Sequence, residues 1–224
     1  EAKREATRGF GAEVVLSDHG ERGREDAAAA LAASLATERG LTLLHPFDDI
    51  EVVTGQAGAG LEAISQLERA GAEADIVLCP VGGGGLIGGV ALAFHNLLPE
   101  ARIIGVEPEA YAGMGASIDR GEIAVMPVGP KSICDGLMAR APGNAPFEAV
   151  KQAGVTGLSV SDKSVRDAMR FAFEKLKLVL EPSGAAGIAA LLDKSIDVDG
   201  KTVLVIATGG NVSLADFVGH VSNA

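Results

Sequence analysis

Four consecutive glycines lie between two apolar segments of the chain: Gly82, Gly83, Gly84 and Gly85. Residues 75–79 before them have the composition of a buried strand, and the apolar run after them, as far as Phe94, is typical of a helix. Glycines in such a turn leave the backbone N–H groups uncovered and can adopt positive φ angles. Amides at a helix N-terminus bind anions, and the helix dipole favours phosphate there. The run therefore predicts a phosphate-binding turn; the alternative is a tight strand-to-helix turn that binds no ligand.

Segments typical of strands alternate with segments typical of helices along the rest of the chain. The predicted strands are residues 12–16, 75–79, 102–106, 156–160 and 202–206, and the other predicted helices are residues 1–9, 25–39, 50–71, 110–120, 162–176, 184–192 and the segment from residue 213. Strands rich in Val, Ile and Leu between helices predict an α/β fold with a doubly wound parallel sheet. The Gly- and Pro-rich stretch up to residue 145 is predicted to be irregular. We expect residues 1–44 to be the remnant of a smaller α/β domain and residues 45–224 to be a large cofactor-binding domain.

Composition excludes several classes of partner. The formal net charge of −11 argues against a nucleic-acid partner, because phosphate backbones are bound by clustered Lys and Arg. No segment reaches the ~18 uninterrupted apolar residues of a membrane helix, and residues 1–5 do not resemble a signal peptide. We expect Cys79 and Cys134 to be free thiols in a reducing cytoplasm, without a redox or nucleophilic role. The composition thus predicts a cytoplasmic protein with neither a membrane nor a nucleic-acid partner.

A second glycine turn follows the last predicted strand. It contains Thr208, Gly209 and Gly210 and precedes the last predicted helix. In an open parallel sheet ligands bind at the carboxyl ends of the strands, so both glycine turns are expected to face one crevice. Thr208 offers a neutral hydroxyl at the rim of that crevice, and the alternative is that Thr208 caps the following helix.

The motifs taken together resemble the fold-type II pyridoxal-phosphate enzymes of the threonine dehydratase and serine racemase family. The similarity runs in order along nearly the whole chain. The matching segments are residues 3–16, 45–49, 55–56, 80–89, 105–108, 134–137, 178–185 and 208–211. The glycine run and the terminal Gly-Gly-Asn turn are more specific in combination than either motif alone.

This resemblance implies roles for individual residues. Backbone amides of the first turn would hold the phosphate of pyridoxal 5'-phosphate; these are Gly82, Gly83, Gly84, Gly85 and Leu86. Thr208 would bond the pyridine nitrogen through its hydroxyl, and such a neutral group makes the ring a weaker electron sink than an Asp would. Glu181 matches an acidic residue near the ring, and the alternative is a surface charge. The resemblance also implies a small amino-acid substrate and a homodimer.

None of the eight lysines matches the family's Schiff-base lysine. In the family this lysine and the loop that binds the substrate carboxylate lie upstream of the segments matched here. The chain also lacks a cap residue before its first helix, and we expect it to begin within a longer structure. We therefore assign no catalytic residue and expect these residues alone to be an inactive fragment.

A cation site is a further implication of the resemblance. Family members often bind Mg²⁺ or Ca²⁺ through positions that correspond to Glu107, Tyr111 and Gly113. Gly113 supplies no carboxylate, so Glu107 would be the one anionic ligand for a cation that prefers several oxygens. The alternative is an ordinary structural role for Glu107 at a strand end.

For the complete enzyme the resemblance predicts an ammonia-lyase that dehydrates threonine or serine to a 2-oxo acid and ammonia. A serine racemase-type isomerase of the same family is an alternative. An NAD-dependent oxidoreductase is another, because Gly83, Gly85 and Gly88 fit a dinucleotide fingerprint with Glu107 as the ribose-binding acid. A chain without catalytic function, folded around an empty phosphate site, is the third.

Overall fold

The computed structural model describes residues 2–18 and 24–222. The chain divides into two compact units, Glu1–His45 and Pro46–Ala224. In the first unit, helix α1 spans Ala2–Gly9 and helix α2 spans Arg24–Arg39, as the sequence predicts within one residue. The strand predicted at residues 12–16 is wrong, because these residues pair with no other described strand. A lone extended segment has no ladder in which its N–H and C=O groups are satisfied.

The second unit contains all the described strands. Its strands are β1 Ile76–Pro80, β2 Arg102–Pro108, β3 Thr156–Val160 and β4 Val203–Val205. Its helices are α3 Ile50–Arg69, α4 Gly85–Leu97, α5 Gly113–Arg120, α6 Asn144–Gln152, α7 Asp162–Phe171, α8 Pro182–Leu192 and α9 Leu214–Ser222. Short 3₁₀ turns lie at Glu109–Tyr111 and Asp135–Leu137, and a π-helical turn, Ala172–Leu176, extends α7. None of the helices within the described ranges is long and apolar enough to cross a bilayer.

The four strands form one parallel sheet in the order β3-β2-β1-β4. Side chains of β1 alternate between two cores, with Ile76 and Leu78 in one and Val77 and Cys79 in the other. The first core includes residues of α7, α8 and α9, and the second includes residues of α3, α4 and α6. Helices therefore cover both faces, which confirms the predicted doubly wound α/β fold.

The strand order places a topological switch point beside β1. From β1 the chain proceeds to β2 and β3 on one side, whereas β4 pairs with the other side of β1. In open α/β sheets ligands bind in the crevice outside the carboxyl ends of the strands at such a point. The turns that follow β1 and β4 flank this position, and they are the two glycine turns singled out in the sequence.

Two helical segments differ from the predictions. Helix α6 begins at Asn144 within sequence predicted to be irregular; the signal was Pro146, which is favourable in the first turn of a helix. The helix predicted at residues 162–176 is α-helical only to Phe171. Its π-helical continuation is capped by Lys177, which has a φ of 60°. The N–H of the next residue, Leu178, donates to the carbonyl of Ala172. The wider turn and the left-handed residue together end the helix.

Candidate functional site

The β1–α4 turn carries a row of backbone amides without protein acceptors. The N–H of Val81 still bonds the carbonyl of Val106 at 2.9 Å, and the next backbone bond is from the N–H of Gly88 to the carbonyl of Gly84 at 2.8 Å. Between them, the N–H groups of residues 82–87 donate to no acceptor in the described part of the chain. No acidic side chain lies in the first turn of α4. Bare amides at the start of a helix, with no nearby carboxylate on that turn, suit an anion such as phosphate.

The same turn is tightly packed on the Cα side of its glycines. A Cβ atom at Gly83 would overlap the ring of Phe47. Gly84 has a φ of 99°, and a Cβ there would lie 2.6 Å from Cε of Met114 and 2.8 Å from Cβ of Pro146. Glycine is thus required at both positions by close approach, and at Gly84 also by its left-handed backbone.

A second segment lies against the beginning of the turn. A Cβ at Gly82 would lie 2.9 Å from the carbonyl oxygen of Gly136. The N–H of Gly136 donates to Oγ of the buried Ser183 at 3.0 Å, which joins the Asp135–Leu137 turn to the first residues of α8. The β1–α4 turn is therefore supported by neighbours far apart in the sequence.

Helix α6 is joined to the β1–α4 turn through the segment before it. Asp48 accepts hydrogen bonds from the N–H of Ala145 at 2.9 Å and from Nδ2 of Asn144 at 3.0 Å. The N–H of Gly143 donates to the carbonyl of Gly83 at 3.0 Å. Asp48 lies in one of the segments that carry the family resemblance, but the sequence indicates no role for it, because a bond between residues 97 positions apart leaves no local signal.

The β4–α9 turn is more open. Thr208 is exposed, and its hydroxyl makes no hydrogen bond within the described ranges. Helix α9 is instead capped by Ser213, whose Oγ accepts the N–H of Asp216 at 3.1 Å, so the alternative that Thr208 caps this helix is wrong. Gly209 has a φ of 82°, and its carbonyl accepts the N–H of Glu181 at 3.1 Å.

Glu181 and Gly184 support this turn from α8. Glu181 is half-buried at the N-cap of α8, and its carboxylate lies against Gly209. Gly184 packs directly under the carbonyl oxygen of Thr208, where a Cβ would overlap that oxygen. Glu181 thus lies against Gly209, the residue after Thr208, and a plain surface charge does not describe it.

Glu107 is the penultimate residue of β2, and its side chain caps helix α5. The carboxylate is 1% exposed, and its two oxygens accept the N–H groups of Met114 at 2.7 Å and Gly115 at 2.8 Å. Burial raises the pKa of Glu107 to about 7, and the bonds from Gly115 and Met114 partly oppose this rise. These contacts correspond to the structural role left open in the sequence analysis. The described residues contain no group of three or more His, Cys, Asp or Glu side chains suited to a metal, and the cation site stays a prediction.

The remaining candidate groups are the two cysteines and the eight lysines. Burial raises the pKa of Cys79 and raises that of Cys134 to about 12, so both free thiols stay protonated at neutral pH. All eight lysines are exposed, among them Lys163, which pairs with Asp167, and Lys201, which pairs with Asp75. We assign none of these groups a role at the reacting atoms.

Comparison with known proteins identifies a family and several similar proteins. The family model described as Pyridoxal-phosphate dependent enzyme matches residues 1–209. The chain is 38% identical over 208 residues to the L-threonine ammonia-lyase of Thermotoga maritima, which covers 93% of this chain and 49% of that protein. It is 34% identical over 226 residues to L-threonine dehydratase catabolic TdcB of Staphylococcus aureus strain N315, which covers 99% of this chain and 62% of that protein. The chain thus spans about half to three-fifths of the length of these relatives.

Solved structures show the same similarity. A threonine deaminase from T.th. superposes with a TM-score of 0.86 at 35% identity, over 96% of this chain and 68% of that one. Maize serine racemase superposes with a TM-score of 0.86 at 29% identity, over 99% of this chain and 66% of that one. Both matches cover nearly all of this chain.

Proposed function

The chain belongs to the pyridoxal-phosphate dependent enzyme family, and from this premise we propose that it forms the cofactor-binding part of a threonine or serine ammonia-lyase. The reaction eliminates water from the amino acid, and a water molecule then hydrolyses the resulting imine to a 2-oxo acid and ammonia, so that the net change is the loss of ammonia. The observation that carries the proposal is the row of amides at residues 82–87, which have no acceptor among the described residues and lie at the switch point of the sheet. Relatives named threonine ammonia-lyase and threonine dehydratase support this choice of reaction.

The residues present fit the phosphate of the cofactor. The amides of Gly82, Gly83, Gly84, Gly85 and Leu86 would hold it. They supply several donors without a cationic side chain, and the dipole of α4 adds favourable potential for the dianion. Because neighbouring segments already fix the turn, little reorganisation is needed when the phosphate binds.

Thr208 would face the other end of the cofactor, at the pyridine nitrogen. When bound, pyridoxal phosphate withdraws electrons from the Cα of an amino acid attached to it. A neutral hydroxyl at Thr208 accepts or donates one hydrogen bond and does not force a proton onto the nitrogen, as a carboxylate would. This weaker demand suits an elimination, in which a leaving group on the neighbouring carbon removes the developing negative charge. Glu181, beside Gly209, would line the same end of the site.

The residue that abstracts the Cα proton is not assigned in this chain. All its lysines are exposed, and none lies in the family's Schiff-base motif. We propose that the Schiff-base lysine and the loop for the substrate carboxylate belong to a part of the protein outside these 224 residues, and that these residues alone do not turn over substrate. The partial coverage of the relatives supports this division. A homodimer, a cytoplasmic location and a cation at Glu107 stay predictions from the resemblance.

The dinucleotide alternative is disfavoured by the environment of Glu107. A ribose-binding acid must present a carboxylate to the ligand, whereas both oxygens of Glu107 accept amides of α5 and the side chain is buried. The family match points to pyridoxal phosphate instead of a nicotinamide dinucleotide. The racemase alternative shares this cofactor site and is separated only by its product.

An assay on the protein at its natural length tests the proposal. We expect pyridoxal phosphate to bind, L-threonine or L-serine to give a 2-oxo acid and ammonia, and D-serine to form much more slowly. D-Serine as the main product would replace the lyase with a racemase. Absence of pyridoxal phosphate binding would overturn the proposal as a whole. The isolated 224-residue chain is expected to give no 2-oxo acid under the same conditions.

A further inference from the structure

We propose that Asp48 is a positioning residue for the phosphate-binding turn: it fixes the peptide between Gly83 and Gly84 through helix α6. The inference rests on the proposed function, because it concerns how the turn prepares its amides for phosphate. The hydrogen bonds of Asp48 to Asn144 and Ala145 are made to α6 and not to the amides of the turn. Asp48 acts through three consecutive contacts.

The first contact is between Asp48 and the start of α6. The N-cap residue of this helix, Gly143, has no side chain with which to satisfy the first amides of the helix. Asp48 replaces that side chain, because its Oδ1 accepts the N–H of Ala145 at 2.9 Å and its Oδ2 accepts Nδ2 of Asn144 at 3.0 Å. A carboxylate near a helix N-terminus is also favoured by the helix dipole. Asp48 therefore sets where α6 begins.

The second contact transmits this position to the glycine turn. A Cβ at Gly143 would lie 2.6 Å from Cβ of Asp48, so the two residues are packed directly together. The N–H of Gly143 donates to the carbonyl of Gly83 at 3.0 Å. If the segment before α6 is displaced, the N–H of Gly143 moves with it, and the carbonyl of Gly83 loses its fixed hydrogen-bond donor.

The third contact is covalent. No peptide in the described residues is cis, and in a planar trans peptide the C=O and N–H groups point in opposite directions. Holding the carbonyl of Gly83 on Gly143 therefore turns the N–H of Gly84 to the opposite side, away from α6. The ring of Phe47 against Gly83 restricts rotation of this peptide. A glycine-rich turn has many accessible conformations, so fixing one peptide in advance reduces the entropy lost when phosphate binds.

Asp49 provides a matched control for a purely structural role. It is also half-buried and also caps a helix, since its Oδ1 accepts the N–H of Glu51 at 2.8 Å at the start of α3. None of its hydrogen bonds reaches the glycine turn. Loss of either carboxylate is expected to lower the melting temperature to a similar extent, because each removes one helix cap. Only loss of Asp48 is expected to change recognition of the phosphate.

The experiment compares pyridoxal phosphate with pyridoxal, which lacks the phosphate, in the protein at its natural length. Dissociation constants and melting temperatures are measured for the wild type, Asp48→Ala, Asp48→Asn and Asp49→Ala. We expect Asp48→Ala to weaken pyridoxal phosphate about tenfold, which is the loss of one charge-assisted hydrogen bond, and to leave pyridoxal unchanged. Asp49→Ala should keep the wild-type ratio of the two constants. Asp48→Asn, which keeps one acceptor oxygen, should give an intermediate ratio.

The outcomes separate this inference from the proposed function. If the wild type shows no preference for pyridoxal phosphate over pyridoxal, the phosphate-binding turn itself is wrong. If the wild type shows the preference and Asp48→Ala keeps it in full, the positioning role is overturned. If Asp48→Ala does not fold, Asp48→Asn decides, and a wild-type ratio in that variant overturns the role. A fall in the ratio for Asp49→Ala equal to that for Asp48→Ala would also overturn it.

Discussion

The two turns at the switch point are built in opposite ways. The β1–α4 turn offers only backbone amides, and its glycines are enclosed by Phe47, Met114 and Pro146. The β4–α9 turn offers the side chain of Thr208, which is exposed and makes no hydrogen bond within the described residues. The first turn thus presents backbone groups to the crevice, and the second presents a single side chain.

This difference matters for what each turn can do. A row of amides binds an anion well only if several peptides hold one orientation, so the packed surroundings of the first turn would contribute to the proposed phosphate binding. The second turn needs one hydroxyl at the rim, and its backbone position comes from α8 beneath it. We therefore expect substitutions near the first turn to change stability and phosphate binding together. Substitutions at Thr208 should separate these properties.

Gly184→Ala tests whether α8 is a rigid support for the second turn. The added Cβ would overlap the carbonyl oxygen of Thr208. Because this oxygen belongs to the backbone, it cannot move aside as a flexible side chain can. We expect the free energy of unfolding in urea to fall by about 4 kcal/mol, or folding to fail. Gly58→Ala in α3 is the control, because its Cβ meets no atom within 4 Å. That change should instead stabilise the helix slightly. Equal stability of the two variants would show that α8 does not hold the turn.

Gly84→Ala tests the packed turn. The substitution combines the strain of a φ of 99° with contacts to Met114 and Pro146. We expect a loss of about 3 kcal/mol in unfolding free energy, together with loss of the preference for pyridoxal phosphate over pyridoxal. Gly121→Ala has the same kind of backbone strain, with a φ of 74°, but meets no atom within 4 Å. It should lose about 1 kcal/mol and keep the ligand preference. A Gly84→Ala protein with the wild-type preference would contradict the role of this turn.

Glu107→Gln tests whether the buried carboxyl of Glu107 makes the stability of the protein depend on pH. Because burial raises the pKa of Glu107 to about 7, the folded protein binds this proton more tightly than the unfolded chain does. Its contribution to stability is therefore lost as pH rises from the ordinary carboxyl range towards 7, by about 2 kcal/mol between pH 5 and pH 7. The variant should lack this slope when urea unfolding is measured in a chelating buffer.

The control for that slope is Glu109→Gln, which changes an exposed carboxylate two positions away. It should keep the wild-type dependence on pH. A Glu107→Gln protein with the same slope as the wild type would show that the buried carboxyl does not titrate in this window.

The sequence was sufficient for the fold class and for the positions of the two glycine turns. The strand-turn-helix patterns around residues 75–94 and 202–213 each have a local signal, and β3 was predicted with its observed bounds. The strand at residues 12–16 failed because strand formation depends on a partner, which composition does not reveal. Helix α6 was missed because the Gly- and Pro-rich sequence before it hid a proline placed in its first turn.

The environment of the site could not be predicted in the same way. The glycine run indicated bare amides, but not that Phe47, Met114 and Pro146 enclose the turn. Asp48 and Ala145 are hydrogen-bonded although they lie 97 positions apart, and the sequence around either residue does not predict that bond. Glu107 is a candidate metal ligand only through the resemblance. Its burial and its two bonds to α5 depend on tertiary packing and have no signal in the sequence. Residue types were readable from the sequence, whereas the partners that fix them were not.

Thr208→Ala is expected to change stability least. It is also the most direct test of whether the second turn acts through one side chain. Because the hydroxyl is exposed and has no hydrogen bond in the described chain, we expect unfolding free energy to stay within about 0.5 kcal/mol of the wild type. The absorption spectrum of bound pyridoxal phosphate and the rate of 2-oxo acid formation, measured in the protein at its natural length, should both change if Thr208 is the proposed partner of the pyridine nitrogen. Thr208→Ser keeps the hydroxyl and should restore both. A variant that lost stability without any change in the spectrum would make Thr208 a structural residue, and the two turns would then not differ in the way proposed.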